Sequence, residues 1–248
     1  MSDLEISEQA IEFVKKNKKT IIEKFASAQI YKPCAEPETF FMAGSPGAGK
    51  TETSKDFIAK AEEEINQKLG TVDEYKIVRI DGDEIRNMLP GYTGDNSDLF
   101  QRAISSGVSK LVDYCFSKKL NMLVDGTFAS PNSIENIDRA IKHKRSTNII
   151  YVYQDPLKAW ELTRARQAKD GRIIPLEAFV DSFFLAKENI NKVKETWGDK
   201  VQLDYAERDF ETDLIKYEIN IGNLDNYLKL KYNKTSLTEA INAMGKCN

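Results

Sequence analysis

The chain has 248 residues, 41% of them hydrophobic and 30% charged, with a net charge of −3. This is enough for one large α/β domain or two small ones, and the near balance of charge argues against a nucleic-acid-coating or membrane-attracted protein. No apolar run approaches the ~20 residues of a membrane span, the acidic start Met1-Ser2-Asp3-Leu4-Glu5 is unlike a secretory signal, and Cys34, Cys115 and Cys247 form neither a CxxC pair nor a disulfide framework, so a reducing cytosol is expected.

Residues 7–28 are predicted to form a helix, because Ile6, Ala10, Ile11, Val14, Ile21, Ile22 and Phe25 fall on one face. The lysines around Asn17 interrupt its polar side and read as a solvated face rather than a nucleic-acid patch. Residues 31–37 contain Pro33 and Pro37 and form a linker. A buried strand follows at 39–43. Next comes Gly44-Ser45-Pro46-Gly47-Ala48-Gly49-Lys50-Thr51, which matches G-x-x-x-x-G-K-[ST]. Beyond it, Phe57, Ile58, Ala61 and Ile65 repeat at helical spacing to about Leu69.

Strand, glycine-rich loop, helix is the setting in which this pattern binds the phosphates of a nucleotide. The glycines allow the backbone to coil so that successive N–H groups converge on the anion. Lys50 would reach the terminal phosphates, the Thr51 hydroxyl would ligate Mg²⁺, and the helix N-terminus adds positive field. The alternative is an ordinary glycine-rich turn.

Further along, strands are predicted at 75–80, 121–124, 148–153 and 201–205. Helices are expected at 98–118, 132–144, 157–169 and 175–197, and the remainder has no clear period. Alternation of this kind implies a parallel sheet covered by helices on both faces. Right-handed crossovers collect the C-terminal strand ends at one edge, where ligands bind. The P-loop, Asp81/Asp83 and Asp125 all follow strands directly, so they belong to that edge.

Three classes of P-loop protein compete: switch GTPases, mechanical or assembly ATPases, and small kinases. The guanine-reading N-K-x-D is missing, since Asn191-Lys192 and Asn233-Lys234 both lack the aspartate, and no D-x-x-G switch follows the loop. A kinase needs a base beside an acceptor hydroxyl and cations for the moving phosphoryl group. Asp81 and Asp83 alternate along an extended segment and so are expected to share a face. Asp83 is the candidate base and Asp81 a structural or water-holding group. The bland alternative for Asp83 is a helix cap. Asp125, after an apolar strand, is the candidate Mg²⁺ aspartate, or else a turn residue before Gly126. Arg164, Arg166 and Arg172 flank Gly171 in what reads as a lid closing over ATP, with a solvated basic face as the other reading. His143, the one histidine, is expected at the surface.

The constellation resembles the zeta toxin family of P-loop kinases, bacterial enzymes of toxin–antitoxin systems. The features that carry the resemblance are Phe40–Thr51, Ile80-Asp81-Gly82-Asp83-Glu84-Ile85-Arg86 with Leu89-Pro90-Gly91-Tyr92, Val124-Asp125-Gly126-Thr127, and Arg166 and Arg172 ahead of Pro175. It implies ATP-dependent phosphorylation of a sugar-nucleotide hydroxyl, in the best-known members the 3′-hydroxyl of the amino sugar of UDP-N-acetylglucosamine. Asp83 matches the family's base, Lys50 its P-loop lysine, and Arg166 and Arg172 its phosphate-stabilising arginines. The family's sugar-binding glutamate, on the helix before the third strand, has no counterpart. Ser109 and Lys110 stand there, with Asp98 and Asp113 the nearest acids. A nucleotide, nucleoside or polynucleotide-end kinase therefore stays open, as does an ATP-binding switch without transfer. The resemblance also implies a small helical inhibitor protein that blocks the nucleotide site. The N-terminal helix could do the same in cis, or simply pack on the domain. The whole chain, 1–248, is taken as one kinase domain, with 1–30 as the packed helix and 205–248 as an extension of uncertain structure.

Overall fold

A computed structural model describes residues 2–208, 215–228 and 230–244. Its N-terminal segment is two helices rather than one, α1 (Asp3–Lys16) and α2 (Lys18–Ala26). A capping box starts α1, with the Glu5 amide donating to Ser2 Oγ and the Ser2 amide to Glu5 Oε2. Asn17 ends it, because both its backbone N–H and its side-chain amide donate to the Phe13 carbonyl, 2.9 Å away in each case. The apolar repeat spans the break, which is why the two helices read as one.

The central sheet contains β1 (Glu38–Ala43), β2 (Ile77–Asp81), β3 (Asn121–Asp125), β4 (Ser146–Tyr153), β5 (Gln202–Arg208) and β6 (Ile215–Glu218). Their spatial order is β2-β3-β1-β4-β5-β6, parallel except for β6, which runs antiparallel to β5. Phe41, Met42 and Ala43 of β1 are buried on both sides, as a central parallel strand requires. The connecting helices are α3 (Lys50–Leu69), α4 (Gly82–Arg86), α5 (Gln101–Ser117), α6 (Pro131–Lys142), α7 (Pro156–Asp170), α8 (Leu176–Trp197) and α9 (Lys234–Met244).

Apolar clusters cover both faces of the sheet. One joins α1, α2, α4 and α5 to β2 and β3. Phe57, Ile58, Ala61 and Ile65 of α3 pack over Phe40, Met42 and Ile77. Another joins α6 and α8 to β4 and β5, while Leu237 and Ile241 of α9 meet Phe179 and Phe183 of α8. Strand β6 and helix α9 lie in the region without a clear period; a four-residue edge strand is too short to show one. At the sheet end opposite the P-loop, His143 is exposed and stacks on Phe116 at 4.8 Å. Arg145, next to it in the basic run, is buried and donates to Thr39 Oγ1 and the Glu38 carbonyl, and burial pushes its guanidinium down to about 10.

The place of α1 and α2 bears on the question of cis inhibition. Ala10, Val14, Ile21 and Phe25 are buried in the cluster with α5 and β2. Burial of Val14, Ile21 and Phe25 stabilises by roughly 1.5–3 kcal/mol each. Deleting residues 1–28 is therefore expected to lower the melting temperature by roughly 10 °C or more, at ~2–4 °C per kcal/mol for a chain of this size, without raising activity. A stable, more active truncation would identify the segment as an inhibitor instead.

Candidate active site

Three strands end side by side and bring their following residues together. The segment Gly44–Lys50 leaves β1 and enters α3. The Gly44 amide donates to the Thr127 carbonyl at 3.1 Å, which ties the loop to the turn after β3. Gly44, Gly47 and Gly49 all have φ in the left-handed range. Two of them also have no space for a side chain: a Cβ on Gly44 would lie 2.3 Å from the Val152 carbonyl oxygen, and one on Gly47 would lie 2.1 Å from that of Ala159. The loop thus packs backbone to backbone on α7, the helix that carries Arg166.

Gly49, which has no side chain, caps α3, so the N-cap position offers no side-chain acceptor to the first-turn N–H groups of this 20-residue helix. Lys50 Nζ donates to the Ser45 carbonyl at 2.7 Å, folded back over the loop. Burial lowers its ammonium to about 8, against the pull of Asp125 and Asp83, while Arg172 and Arg166 push the same way as burial. An uncapped helix start, an amine held over it and the Thr51 hydroxyl make a donor set suited to a polyphosphate and its magnesium ion.

Asp81 and Asp83 were expected to share a face, and they do not. Strand β2 stops at Asp81 and α4 begins at Gly82, which replaces the twofold alternation by a helical turn. Asp81 is the N-cap, accepting from the Asp83 amide at 2.8 Å. Its other oxygen accepts from Arg79 Nη2 at 2.5 Å. Burial, then the neighbouring Asp125, raises its carboxyl above the usual range, and Arg79 opposes both.

Asp83 faces a different set of partners. Arg172 Nη1 donates to its Oδ1 at 2.6 Å and Oδ2 at 2.5 Å, Arg166 Nη2 to Oδ2 at 3.3 Å, and Arg86 Nη1 to Oδ1 at 3.1 Å. Helix α7 runs to Asp170 and ends at Gly171, whose φ of 74° turns the chain so that Arg172 comes back towards Asp83. A glycine contact holds this return in place: a Cβ on Gly94 would sit 2.7 Å from the Gly171 carbonyl carbon. Ser97 Oγ also donates to the Ile173 carbonyl at 3.3 Å. Arg164 lies apart from these groups, donating to Gln167 and standing over the Trp160 ring.

Asp125 lies opposite Asp81 in the β2–β3 register. Its Oδ2 accepts from Ser54 Oγ at 2.8 Å and from Arg79 Nη2 at 2.6 Å. Arg79 went unnoticed in the sequence, although it gathers most of the acids here: it also meets Glu84 at 2.5 Å and Ser54 through Nε. Burial works against its charge, but Asp125 and Asp81 outweigh that and hold the guanidinium above its ordinary value. Its alternating position in a strand otherwise apolar was the one available signal. Of the family-glutamate region, Asp113 pairs with Arg139 on the outside and Ser109 is exposed.

The sheet order, the P-loop after β1 and the aspartates after β2 and β3 define a P-loop kinase fold. A model of the family described as "Zeta toxin" matches residues 22–220, and the chain belongs to that family. A solved structure described as the PezAT chromosomal toxin–antitoxin system of the human pathogen Streptococcus pneumoniae is similar, with TM-score 0.62 and 14% identity over 94% of this chain and 96% of that one. The AvrRxo1-ORF1:AvrRxo1-ORF2 complex with sulphate ions gives TM-score 0.57 at 13% identity, covering 96% of this chain and 71% of that one. Its form with ATP gives TM-score 0.56 at the same identity and coverage. No curated protein matches the chain by sequence. Among the described residues, no helix is long and apolar enough to cross a membrane.

Proposed function

We propose that the chain is an ATP- and magnesium-dependent kinase that phosphorylates a hydroxyl of a sugar nucleotide such as UDP-N-acetylglucosamine. The observation that carries this reading is Asp83: a carboxylate one turn past a strand end, gripped by Arg166 and Arg172, and near enough to the P-loop lysine for its charge to act on it. Bound ATP would supply the transferable phosphoryl group, and magnesium would screen its charge. The loop amides of Gly44–Thr51 and Lys50 would hold the phosphates, and the Thr51 hydroxyl and an Asp125 oxygen the metal. Asp83 would take the acceptor's proton as the hydroxyl oxygen bonds to the γ-phosphorus and the bond from that phosphorus to the β–γ bridging oxygen breaks, leaving ADP, while Arg166 and Arg172 neutralise charge that grows on the transferred group. The neighbour solved with ATP supports the choice of nucleotide.

Residues 1–248 would act as one kinase unit, with α1 and α2 packed on α5 and the C-terminal elements extending the sheet. A cytosolic setting suits the free Cys34 and Cys115. The toxin–antitoxin neighbours support an inhibitor on another chain, a small helical antitoxin that covers the nucleotide site.

The test is ADP release from Mg·ATP across a panel of nucleotide sugars, nucleosides, nucleoside monophosphates and 5′-hydroxyl oligonucleotides. Turnover confined to nucleotide sugars, with a phosphorylated sugar as product, is the expected result. Turnover confined to nucleosides, nucleotides or oligonucleotide ends would replace the sugar-nucleotide acceptor. ATP consumption that appears only with a partner protein, with no phosphorylated product, would make the chain a switch.

A further inference from the structure

The arginines on Asp83 have different origins. Arg166 and Arg172 come from the end of α7 and the turn beyond it, whereas Arg86 stands on α4 itself, one helical turn from Asp83. Arg86 is 3% exposed, Arg166 and Arg172 much more so. Its two terminal nitrogens are divided between partners: Nη1 donates to Asp83 Oδ1 at 3.1 Å, and Nη2 donates to Gln101 Oε1 at 3.2 Å, on the first residue of α5. Its guanidinium carbon lies 5.7 Å from the Tyr92 ring centroid, and Tyr92 packs edge-on against the buried Phe100.

A conflict of duties makes this division informative. With both oxygens engaged by Arg172, Asp83 is poorly placed to accept a proton from a hydroxyl. Arg166 and Arg172 must leave it to meet phosphate charge. The Nε atoms of Arg86 and Arg172 are both buried without a hydrogen-bond partner among the described residues, so both are incompletely satisfied where they stand, but the Arg172 side chain is the more exposed of the two and the freer to exchange partners. Once the two mobile cations leave, a lone carboxylate on a five-residue helix would lose its orientation unless something else held it.

We propose that Arg86 is the positioning residue of the base, holding Asp83 through the α4 turn and the Gln101 anchor while Arg166 and Arg172 transfer to the nucleotide phosphate. The inference rests on the reading of Asp83 as the base. A guanidinium suits the task because its planar fork binds two acceptors in fixed directions, which a lysine ammonium cannot do. A base that is itself oriented by a further group is the usual arrangement for proton transfer.

Gln101 makes the decisive test possible, because it is exposed and carries little of the core. ADP release from Mg·ATP is measured with water as acceptor and again with UDP-N-acetylglucosamine, alongside the Kd of a non-hydrolysable ATP analogue and the melting temperature. Gln101→Leu is expected to lower kcat about 5- to 20-fold while the analogue Kd stays within about twofold and the melting temperature is unchanged. Gln101→Glu keeps an acceptor for Nη2 and is expected to retain wild-type kcat. Arg86→Lys, which loses the bridge outright, is expected to lower kcat about 100-fold, the cost of misplacing a reacting group by about 1 Å. Wild-type kcat in Gln101→Leu, or equal losses in Gln101→Leu and Gln101→Glu, would overturn the role of Arg86. Should Arg86→Lys fail to fold, the Gln101 pair decides alone. An active Asp83→Asn would instead remove the base reading beneath the proposal, and that outcome is separate from the Gln101 result.

Discussion

Asp83→Asn is expected to abolish phosphoryl transfer and to leave ATP binding close to wild type. The amide is nearly the same size as the carboxylate and can still accept a hydrogen bond from Arg172, so the local shape survives. It cannot take a proton from the acceptor hydroxyl. Loss of general-base help costs ~10²–10⁴ in rate, and the loss falls on kcat because the nucleotide is held elsewhere, by the loop and Lys50. Asp81→Asn is the control. Asparagine still caps α4, since an N-cap amide oxygen accepts as well as a carboxylate, but the 2.5 Å pair with Arg79 loses its charge. That variant should lose some stability and keep most of its turnover. Measured kcat and analogue Kd for both variants settle the assignment; an inactive Asp81→Asn beside an active Asp83→Asn would reverse it.

The contrast between these aspartates also marks where the sequence stops being readable. The strand and helix around Gly44–Thr51 and the β–α alternation were legible, and with them the parallel sheet. Two neighbouring aspartates looked alike on the page because an extended backbone was assumed to continue through Gly82. The chain turns helical there instead, and one carboxylate becomes a cap while the other faces the arginines. The roles of Arg79 and Arg86 were hidden for another reason. Their partners Asp125 and Gln101 lie 46 and 15 residues away, joined only by the β2–β3 register and the packing of α4 on α5. Spacing along a chain reveals neighbours in one element; it does not reveal which charge meets which across two. The break at Asn17 was hidden by an apolar repeat that serves two helices packed on the same α5.

Lys50 donates to the Ser45 carbonyl, and Arg86, Arg166 and Arg172 converge on Asp83. On the proposed reading the contacts of Lys50, Arg166 and Arg172 are exchanged for ones to phosphate while Arg86 stays on Asp83, so nucleotide binding and release of the base become one event.

Lys50→Met should show the second large loss. The methionine preserves the aliphatic stem and removes the charge, so the loop keeps its packing while the terminal phosphates lose their main cation. Removing a single preorganised group of this kind costs ~10²–10³ in kcat, and here ATP affinity should fall as well, because the charge is met in the ground state too. The lysine also sets a pH dependence whose sign follows from its burial. In the empty site its ammonium titrates at about 8, below the ordinary lysine range. Below that pH the proton is already present and ATP affinity is full. As pH rises through 8 the empty site sheds the proton, a bound triphosphate must recover it, and affinity falls by up to about tenfold per pH unit. Calorimetric titration of a non-hydrolysable ATP analogue between pH 7 and 9.5 should show this fall, with proton uptake, in the wild type and a flat profile in Lys50→Met. Equal slopes in the two proteins would assign the titration to another group, and wild-type turnover in Lys50→Met would remove the P-loop lysine from the chemistry altogether.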